Sequence, residues 1–508
     1  MRTYITLIGI LWMSASTFAQ RNHDYNWIFG YGPSNPELHY GGVQVSFEMG
    51  YPNASYFDIE FSFSGDNTVV SDKNGILIAY SNGCQIQNRN HHLMENGDDI
   101  NPGIVHQQQC SNVSGYSFDQ GSLFLPKPGC DSIYFMFHLR EEDGGSIVRH
   151  LLYSVLDASF NNGLGKVIVK NEPLRSDTLT GMITACRHAN GRDWWIVVQE
   201  NYRNFSIPPG ANGQYHFFLF DPQGVHYQGE QQLGKLFTAR SAVGQSCFSP
   251  DGSRYAIGNI HNGVNLFDFD RCTGTLSNPR YLDLKADSVV AMGLAFSPSS
   301  RYLYVTTGLW ILQYDMEAND VEASKVNVAE YDGFLSQLPT TFYHLALGPN
   351  GKIYGSSHFG TDVLHIIHQP DEPGLACEVE QHGLKMPAYH KYTMPNSPQY
   401  RLYDIPGSVC DSLGIDAPVV SVVTPNVLGK SDIIFYPNPT TGLLQWSGLP
   451  EGTVLGLRVD ALGRLCLERE NPTESVDISV LPDGLYHVTL LGANGRILTA
   501  KRLVLAKR

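Results

Sequence analysis

The stretch "CFSPDGSRYAIGN", residues Cys247 to Asn259, decides the fold because the chain repeats it. Two clear copies follow it: "AFSPSSRYLYVTT" (Ala295 to Thr307) and "ALGPNGKIYGSSH" (Ala346 to His358). Their shared prolines, Pro250, Pro298 and Pro349, are 48 and 51 residues apart. Each copy predicts an apolar strand, a proline-containing tight turn and a second strand rich in Tyr, Ile and Val.

Weaker copies precede these three. They are "DKNGILIAYS" (Asp72 to Ser81), "PKPGCDSIYFMFH" (Pro126 to His138) and "HANGRDWWIVV" (His188 to Val198). Each copy is followed by another strand and a polar turn, as in "GVNLFDFDRCTG", so one unit holds about four strands in about fifty residues. That period is typical of a β-propeller blade. We therefore predict an all-β chain with a propeller of the WD40 or YVTN kind, in which residues 25–50 and 395–405 join as a seventh blade; six or eight blades remain alternatives.

Composition limits the classes of function. Apolar residues make up 42% of the chain and charged residues 16%, which is a globular balance. The formal net charge is −15. An acidic surface repels phosphate backbones, so we do not expect nucleic acid as a partner.

The N-terminus predicts a secretory signal peptide at residues 1–19. Arg2 supplies a positive charge, and the ten residues from Tyr4 to Met13 form the apolar stretch. We place cleavage between Ala19 and Gln20. Ten apolar residues are too few to span a bilayer, so no transmembrane span is predicted here, and no later segment approaches eighteen.

Nine cysteines in an exported chain allow disulfides but leave at least one thiol unpaired. Cys84 and Cys110 flank a polar loop and are the first candidate pair; Cys377 with Cys410 is the second. Cys186, Cys247 and Cys466 lie in apolar strand patterns and predict buried thiols. Because no CxxC pair is present, we predict no zinc site.

The C-terminal segment restarts a small β domain. It opens with "IIFYPNPTTG", in which Tyr436, Pro437, Asn438, Pro439 and Gly442 form the entry. Alternation in "LYHVTLL" and "RILTAKRLVL" predicts half-buried strands, and "PDG" and "ANG" predict tight turns. Residues 411–430 contain Pro, Ser and Thr without a long periodic run and predict a linker.

Two resemblances follow from these phrases. Residues 25–410, through "NGILIAYSNGCQIQNRNHHLMENG", "LFLPKPG", "RHANGRDWWIVV" and "YHLALGPNGKIY", resemble a family of exported bacterial β-propeller proteins without an established activity. Residues 431–508 resemble the type A C-terminal sorting domain of the type IX secretion system. That second resemblance implies a small Ig-like β-sandwich. It further implies passage through the Sec translocon and the type IX machinery, and a secreted protein at the outer cell surface, either anchored or released.

A search for catalytic arrangements finds no G-x-S-x-G, H-E-x-x-H, P-loop or G-x-G-x-x-G motif. His365 and His368 are three apart in a strand and point to opposite faces, so they do not predict a metal site. Glu95, Asp98 and Asp99, and separately Asp268 and Asp270, leave calcium as a weak alternative to no cofactor, because neither group matches a calcium loop. Trp194 and Trp195 are expected to pack on opposite faces of one strand.

One set of polar residues occupies equivalent positions in successive repeats. Aligning the repeats on their turns makes Ser122, Thr184, Gln245 and His344 equivalent, and all four are polar within apolar strands. We expect them to ring the propeller axis as a polar mouth; the alternative is that they satisfy buried backbone groups or water.

The sequence names no catalytic residue and leaves three hypotheses. The leading one is an exported binding module for an unknown extracellular protein or glycan. The alternatives are a lactonase-like hydrolase, which requires a deep polar channel with an acid/base pair, and a surface adhesin, which requires exposed aromatic or apolar patches.

Overall fold

The computed structural model describes residues 21–111, 114–142, 148–201, 211–237, 243–284, 291–413, 415, 434–447, 456–461, 464–470, 472, 475–491 and 497–507. The chain divides into two compact units, residues 1–418 and 419–508. The predicted signal peptide with its Ala19–Gln20 cleavage site, and most of the predicted linker, lie outside the described residues.

The first unit is nearly all-β, and every strand pairing in it is antiparallel. Two three-stranded sheets come first: β1 (Asn26–Asn35), β2 (Tyr40–Ser46), β3 (Asn53–Phe57), then β4 (Thr68–Ser71), β5 (Leu77–Ser81), β6 (Ile86–Asn88). A seven-stranded sheet follows: β7 (Ser122–Pro126), β8 (Ile133–Glu141), β9 (Val148–Asp157), β10 (Lys166–Arg187), β11 (Trp194–Glu200), β12 (Asn212–Asp221), β13 (Gly224–Lys235).

The remaining sheets of this unit are smaller. Three are four-stranded. The first has β14 (Gly244–Phe248), β15 (Arg254–Asn259), β16 (Asn262–Asp270) and β17 (Thr275–Leu282), and the second has β18 (Gly293–Phe296), β19 (Tyr302–Thr306), β20 (Trp310–Asp315) and β21 (Val326–Glu330). The third has β24 (Phe342–Leu347), β25 (Ile353–Ser357), β26 (Thr361–Ile367) and β27 (Val379–His390). One hairpin stands apart: β22 (Leu335–Ser336), β23 (Leu338–Pro339). In the described ranges, the helical elements are α1 (Ile104–Gln109) and the 3-10 turns Pro36–Leu38, Asn161–Gly163 and Gly374–Cys377.

Five of the six predicted repeats fall on the turn between the first and second strands of a sheet. The sixth, His188 to Val198, falls between β10 and β11 of the seven-stranded sheet. In the best copy, the Gly252 amide donates to the Ser249 carbonyl (2.8 Å), and the Ser249 amide donates to the Arg254 carbonyl (2.9 Å). The next copy repeats both bonds, from Ser300 and from Ser297. The turn requires a left-handed residue, which Gly252 supplies at φ +72° without steric cost and Ser300 adopts at φ +65°. The repeated motif therefore encodes one turn geometry.

Strand β10 is long because it serves two groups of strands. Its first part, up to Leu179, pairs with β9, and its last part, from Leu179 to Arg187, pairs with β11. The seven-stranded sheet thus consists of two four-stranded groups that share one strand. The repeats predicted two separate units here, and the turn that starts the second unit is present at Arg187–Trp194.

Neighbouring sheets bury their faces against one another. The first strands of successive sheets are in contact from β4 through β7, β10, β14 and β18 to β24. Most hydrophobic clusters combine residues of two adjacent sheets. One cluster joins the last sheet to the first through Trp27, Phe47, Tyr354 and Met386, which closes the circle. This arrangement is β-propeller-like and nearly all-β, as the sequence predicted.

The second unit contains two sheets over one core. One sheet has β28 (Ile434–Tyr436), β29 (Leu443–Ser447), β32 (Ser475–Asp477); the other has β30 (Gly456–Ala461), β31 (Arg464–Glu470), β33 (Gly484–Leu491), β34 (Ile497–Leu505). Their shared cluster includes Trp446 and Leu503. The Tyr436–Pro437 and Asn438–Pro439 bonds are cis. Strand β28 ends at Tyr436, and a Cβ on Gly442 would lie 2.6 Å from Ser479 Cβ, so only glycine fits there. The Ig-like assignment stays a prediction.

The disulfides agree with one of the two predicted pairs. Cys84 and Cys110 are bonded in the structure. The second pair, Cys377 with Cys410, was wrong: Cys410 is bonded to Cys272. Cys377 instead lies buried in the core between two sheets. Cys466 was also wrongly predicted as buried, since it is an exposed thiol in β31.

Candidate functional site

The axis of the first unit is closed by an irregular segment, residues 393–399. Its Asn396 side-chain amide donates to the carbonyls of Ser122 and Ile183, both at 2.9 Å, and its backbone amide donates to the Asn67 carbonyl (2.8 Å). These partners come from three different first strands or the residues next to them. Asn396 therefore fixes the segment across the centre of the ring.

Two buried glutamines tie the first strands together around the same axis. Gln245 on β14 accepts from the amides of Leu294 (2.8 Å) and Leu345 (3.2 Å) and donates to the Leu345 carbonyl (2.7 Å). Gln120 donates to the carbonyl of Ser246 and accepts from its amide. Each side chain replaces ladder bonds that diverging strands cannot make with one another.

A small cavity remains along the axis, with a volume of about 90 Å³. Its lining includes Gln120, Thr184, Gln245, Phe248 and Asn396. A water molecule occupies roughly 30 Å³, whereas ligand pockets usually measure roughly 300–1,000 Å³. The cavity is large enough for a few waters and too small for a sugar-sized substrate.

The four residues predicted to ring the axis divide into two pairs. Thr184 and Gln245 line the axial cavity, whereas Ser122 and His344 do not appear in its lining. Ser122 Oγ donates to Asp66 Oδ1 (2.8 Å), and His344 lies beside Asp119. The reason at His344 is a β-bulge, because the pairing of β24 with β25 slips between Phe342 and Leu345. A role for the four in ligand binding stays a prediction.

A buried polar cluster lies at the mouth of the ring, where the first strands begin. Asp119 Oδ2 accepts from Tyr343 Oη (2.8 Å) and from the Gly244 amide (3.0 Å), and His344 Nε2 lies 3.2 Å away. Asp119 and His344 are each only 1% exposed. Burial, followed by the charge of Asp119, raises the pKa of Tyr343 well above its usual value. The cluster joins the segment before β7 to strands β14 and β24.

A stack of rings leads from this cluster to the surface. The Tyr343 ring stacks on His344 (4.4 Å between centroids) and on His358 (5.0 Å), and His358 stacks on Phe359 (5.0 Å). His358 and Phe359 are exposed. Partial burial of the His358 ring against its neighbours lowers its pKa, although the nearby Asp119 charge opposes the shift.

Exposed apolar side chains also occur on the segments that backbone hydrogen bonds join to the outer end of this stack. We define the apolar rim as Leu309, Phe334, Leu335, Leu338 and Phe359. All five are at least 40% exposed, and Leu335 reaches 62%.

Backbone bonds hold the rim together. The Tyr331 amide donates to the Leu309 carbonyl (2.8 Å), the Thr340 amide to the Phe334 carbonyl (3.3 Å), and the His358 amide to the Thr341 carbonyl (3.0 Å). The β22–β23 hairpin is thereby fixed between the β19–β20 and β25–β26 turns. The sequence analysis did not predict the rim. The apolar residues of "FLSQLP", in a segment between two repeats, could have indicated it.

The other residues singled out by sequence have structural partners. Trp194 and Trp195 are buried in different hydrophobic clusters, on opposite faces of β11 as expected. His365 is buried, and His368 lies 2.7 Å from Glu380. Glu95 pairs with Lys166 and Asp98 with Lys170. Asp268 pairs with Arg280. The expectation of no cofactor, with calcium as the alternative at either acidic group, stays a prediction.

A separate group of possible metal ligands lies on β10, β11 and β12. Among the residues that the structure describes, no helix is long and apolar enough to cross a membrane.

Comparison with known proteins gives weak similarities only. No protein-family model and no curated protein matches the chain. Among solved structures, a putative 6-phosphogluconolactonase from Bacteroides uniformis is 12% identical with a TM-score of 0.41, covering 72% of this chain and 97% of its own. A second, from Bacteroides fragilis, is 13% identical with a TM-score of 0.38 and the same coverage. Similarities at this level carry no conclusion about the fold or the function of this chain.

Proposed function

We propose that this chain is an exported binding protein whose first unit captures an extracellular protein through the apolar rim. One contrast carries the proposal: the cavity along the axis measures only about 90 Å³, whereas five large apolar side chains are exposed on segments joined by backbone hydrogen bonds. Apolar residues exposed singly are ordinary, but a contiguous patch beside polar groups marks an interaction surface.

The composition of the rim favours a protein over a glycan. Three of its five members are leucines, which offer aliphatic surface without a flat ring face or a polar group. A sugar site would need flat aromatic faces with several polar groups directed at hydroxyls. Here the polar groups nearest the rim are already engaged, as His382 with Asp332 (2.8 Å) and Ser336 with Asp362. A glycan ligand is therefore an outcome that would count against the proposal.

An array of bacterial surface proteins, host extracellular proteins and glycans tests the assignment. We compare the natural chain with a triple variant, Leu335→Ser, Leu338→Ser and Phe359→Ser, and with Leu375→Ser as the control, because Leu375 is 76% exposed outside the rim. We expect protein ligands that the natural chain and the control share and the triple variant loses at least tenfold. Unchanged protein binding by the triple variant, or ligands that are glycans alone, would contradict the proposal.

We infer further that the chain leaves the cell by the type IX route, after Sec-dependent export and cleavage between Ala19 and Gln20. The support is the motif set of residues 431–508 together with a second unit that has its own core. A reporter carrying residues 1–30 and 411–508 should reach the surface or medium of a host with this pathway. The same reporter without residues 431–508 should stay in the periplasm; equal export of both would reject the sorting role.

We also infer seven blades and a sandwich. The groups β1–β3, β4–β6, β7–β10, β10–β13, β14–β17, β18–β21 and β24–β27 support seven. Residues 393–399 supply the axial segment that the first group lacks. An experimental structure at side-chain resolution checks both the count and the Ig-like order of the second unit.

The hydrolase alternative has one observation in its favour, the close approach of Asp119 and His344. Both side chains are buried, so a substrate would have to open the mouth to reach them. Turnover of sugar lactones by the natural chain that is lost in Asp119→Asn would replace the binding proposal with this one.

A further inference from the structure

A buried histidine in the middle of one sheet faces a group of carboxylates. His216 on β12 is 0% exposed, and Asp177 on β10, Glu200 on β11 and Glu230 on β13 surround it. Strand pairing explains the meeting: His216 is opposite Glu230 and opposite Val198, two residues before Glu200. Side chains two apart share a face of a sheet, so these groups converge on one side.

The histidine nitrogen inside this group has no hydrogen bond. His216 Nε2 lies 3.6 Å from Glu200 Oε2 and 3.8 Å from Asp177 Oδ2, and it has no hydrogen-bond partner in the described part of the chain. Nδ1, by contrast, lies 3.3 Å from the Tyr227 hydroxyl. Protein hydrogen bonds to nitrogen span about 2.7–3.2 Å, so the Nε2 gaps are too long for direct bonds. Nε2 and the two carboxylates are nonetheless close enough to share one small cation.

The charges of the group are incompletely balanced. Asp177 accepts from Arg175 Nη2 at 2.7 Å, which offsets one of the three carboxylates. Two negative charges remain when the imidazole is neutral. A divalent cation would supply the missing charge.

We propose that His216 Nε2, Glu200 and Asp177 bind a divalent first-row transition-metal ion of the zinc or manganese class. An ion about 2.1 Å from each ligand in tetrahedral geometry separates its ligands by roughly 3.4 Å, close to the spacing found here. One imidazole with two carboxylates suits zinc or manganese, whereas calcium and magnesium prefer oxygen ligands alone. The side chains of Asp177 and Glu200 are 28% and 26% exposed, so the ion can enter from solvent.

The second histidine-containing group in the described chain does not compete with this assignment. Cys84 and Cys110 lie near His106, but their sulfurs form a disulfide and are not available as thiolate ligands. The proposed metal site lies on strands that carry no residue of the apolar rim. Its test is therefore independent of the test of the proposed binding function.

Calorimetric titration of the metal-stripped full chain with Zn²⁺, Mn²⁺ and Ca²⁺ tests the site, with Co²⁺ absorption as a spectroscopic readout. The variants are Glu200→Gln, which keeps the shape and removes one ligand charge, and His216→Gln. Glu380→Gln is the matched control, because Glu380 also pairs with a histidine but has no third ligand. Circular dichroism confirms that each variant is folded, and Glu200→Gln alone decides the test if His216→Gln does not fold.

We expect one equivalent of Zn²⁺ or Mn²⁺ to bind the natural chain and the control, and to bind Glu200→Gln at least tenfold more weakly. Co²⁺ should give visible d–d bands in the natural chain that Glu200→Gln lacks. The absence of Zn²⁺ and Mn²⁺ binding, unchanged affinity in Glu200→Gln, or tighter binding of Ca²⁺ than of either would overturn the assignment.

Discussion

At the scale of single residues, the axis is held by side chains that replace backbone ladder bonds. Gln245→Ala would leave the Leu294 and Leu345 amides and the Leu345 carbonyl without their partner. Each buried group left unpaired costs about 1–3 kcal/mol, partly recovered by water in the adjacent cavity. We expect the free energy of unfolding to fall by about 2–4 kcal/mol in urea titration. Gln232→Ala, on the exposed side of β13, should change it by less than about 0.5 kcal/mol; equal effects would contradict this role.

Asp66 gives the first unit a pH-dependent term in its stability. Burial raises the pKa of this carboxyl to about 7, against opposing hydrogen bonds from Ser122 and Asn67. Because the folded pKa lies above the unfolded value of about 3.9, the stabilisation is complete below about pH 4 and is lost as the pH rises through about 7.

The comparison of the natural chain with Asp66→Asn isolates that term. Between about pH 4 and pH 7.5, the unfolding free energy of the natural chain should fall by up to about 4 kcal/mol relative to the variant. Asp58→Asn, on the surface, serves as the control. Parallel pH profiles for the natural chain and Asp66→Asn would show that Asp66 does not titrate in this range.

At the scale of elements, the sequence predicted the sheets well because one local turn recurs. The hydrogen bonds around Gly252 and Ser300 join residues that are close in sequence, so the turn could be recognised from a short sequence motif. Side-chain direction at the axis was harder to predict than the sheets, because the bulge at Tyr343 and His344 has no sequence signal of its own. Asp119 was missed for a related reason: its partners Gly244 and Tyr343 are distant in the chain.

The two disulfides close loops of very different length and should therefore stabilise the fold to different degrees. Cys272 and Cys410 are 138 residues apart, whereas Cys84 and Cys110 are 26 apart. In the loop-entropy account, these bridges contribute about 5 and about 3.5 kcal/mol respectively. Denaturant titration of the paired Cys→Ser variants should therefore show the larger loss for Cys272 and Cys410. A larger loss for Cys84 and Cys110 would mean that local packing, rather than loop length, sets the effect.

At the scale of the whole molecule, each unit has its own hydrophobic core, which predicts independent unfolding. A chain ending at residue 413 should keep the calorimetric midpoint of the first unit within about 2 °C, and the full chain should show an additional transition from residues 419–508. A single cooperative transition that shifts upon truncation would show that the units stabilise each other.

The central claim is that the apolar rim contacts an extracellular protein, and site-specific photo-crosslinking on living cells tests it most directly. A photoreactive residue at Leu335 is compared with the same residue at Leu375, both on the full exported chain. We predict a discrete protein adduct from Leu335 that Leu375 does not form. Adducts from neither position, or the same adduct from both, would contradict the claim.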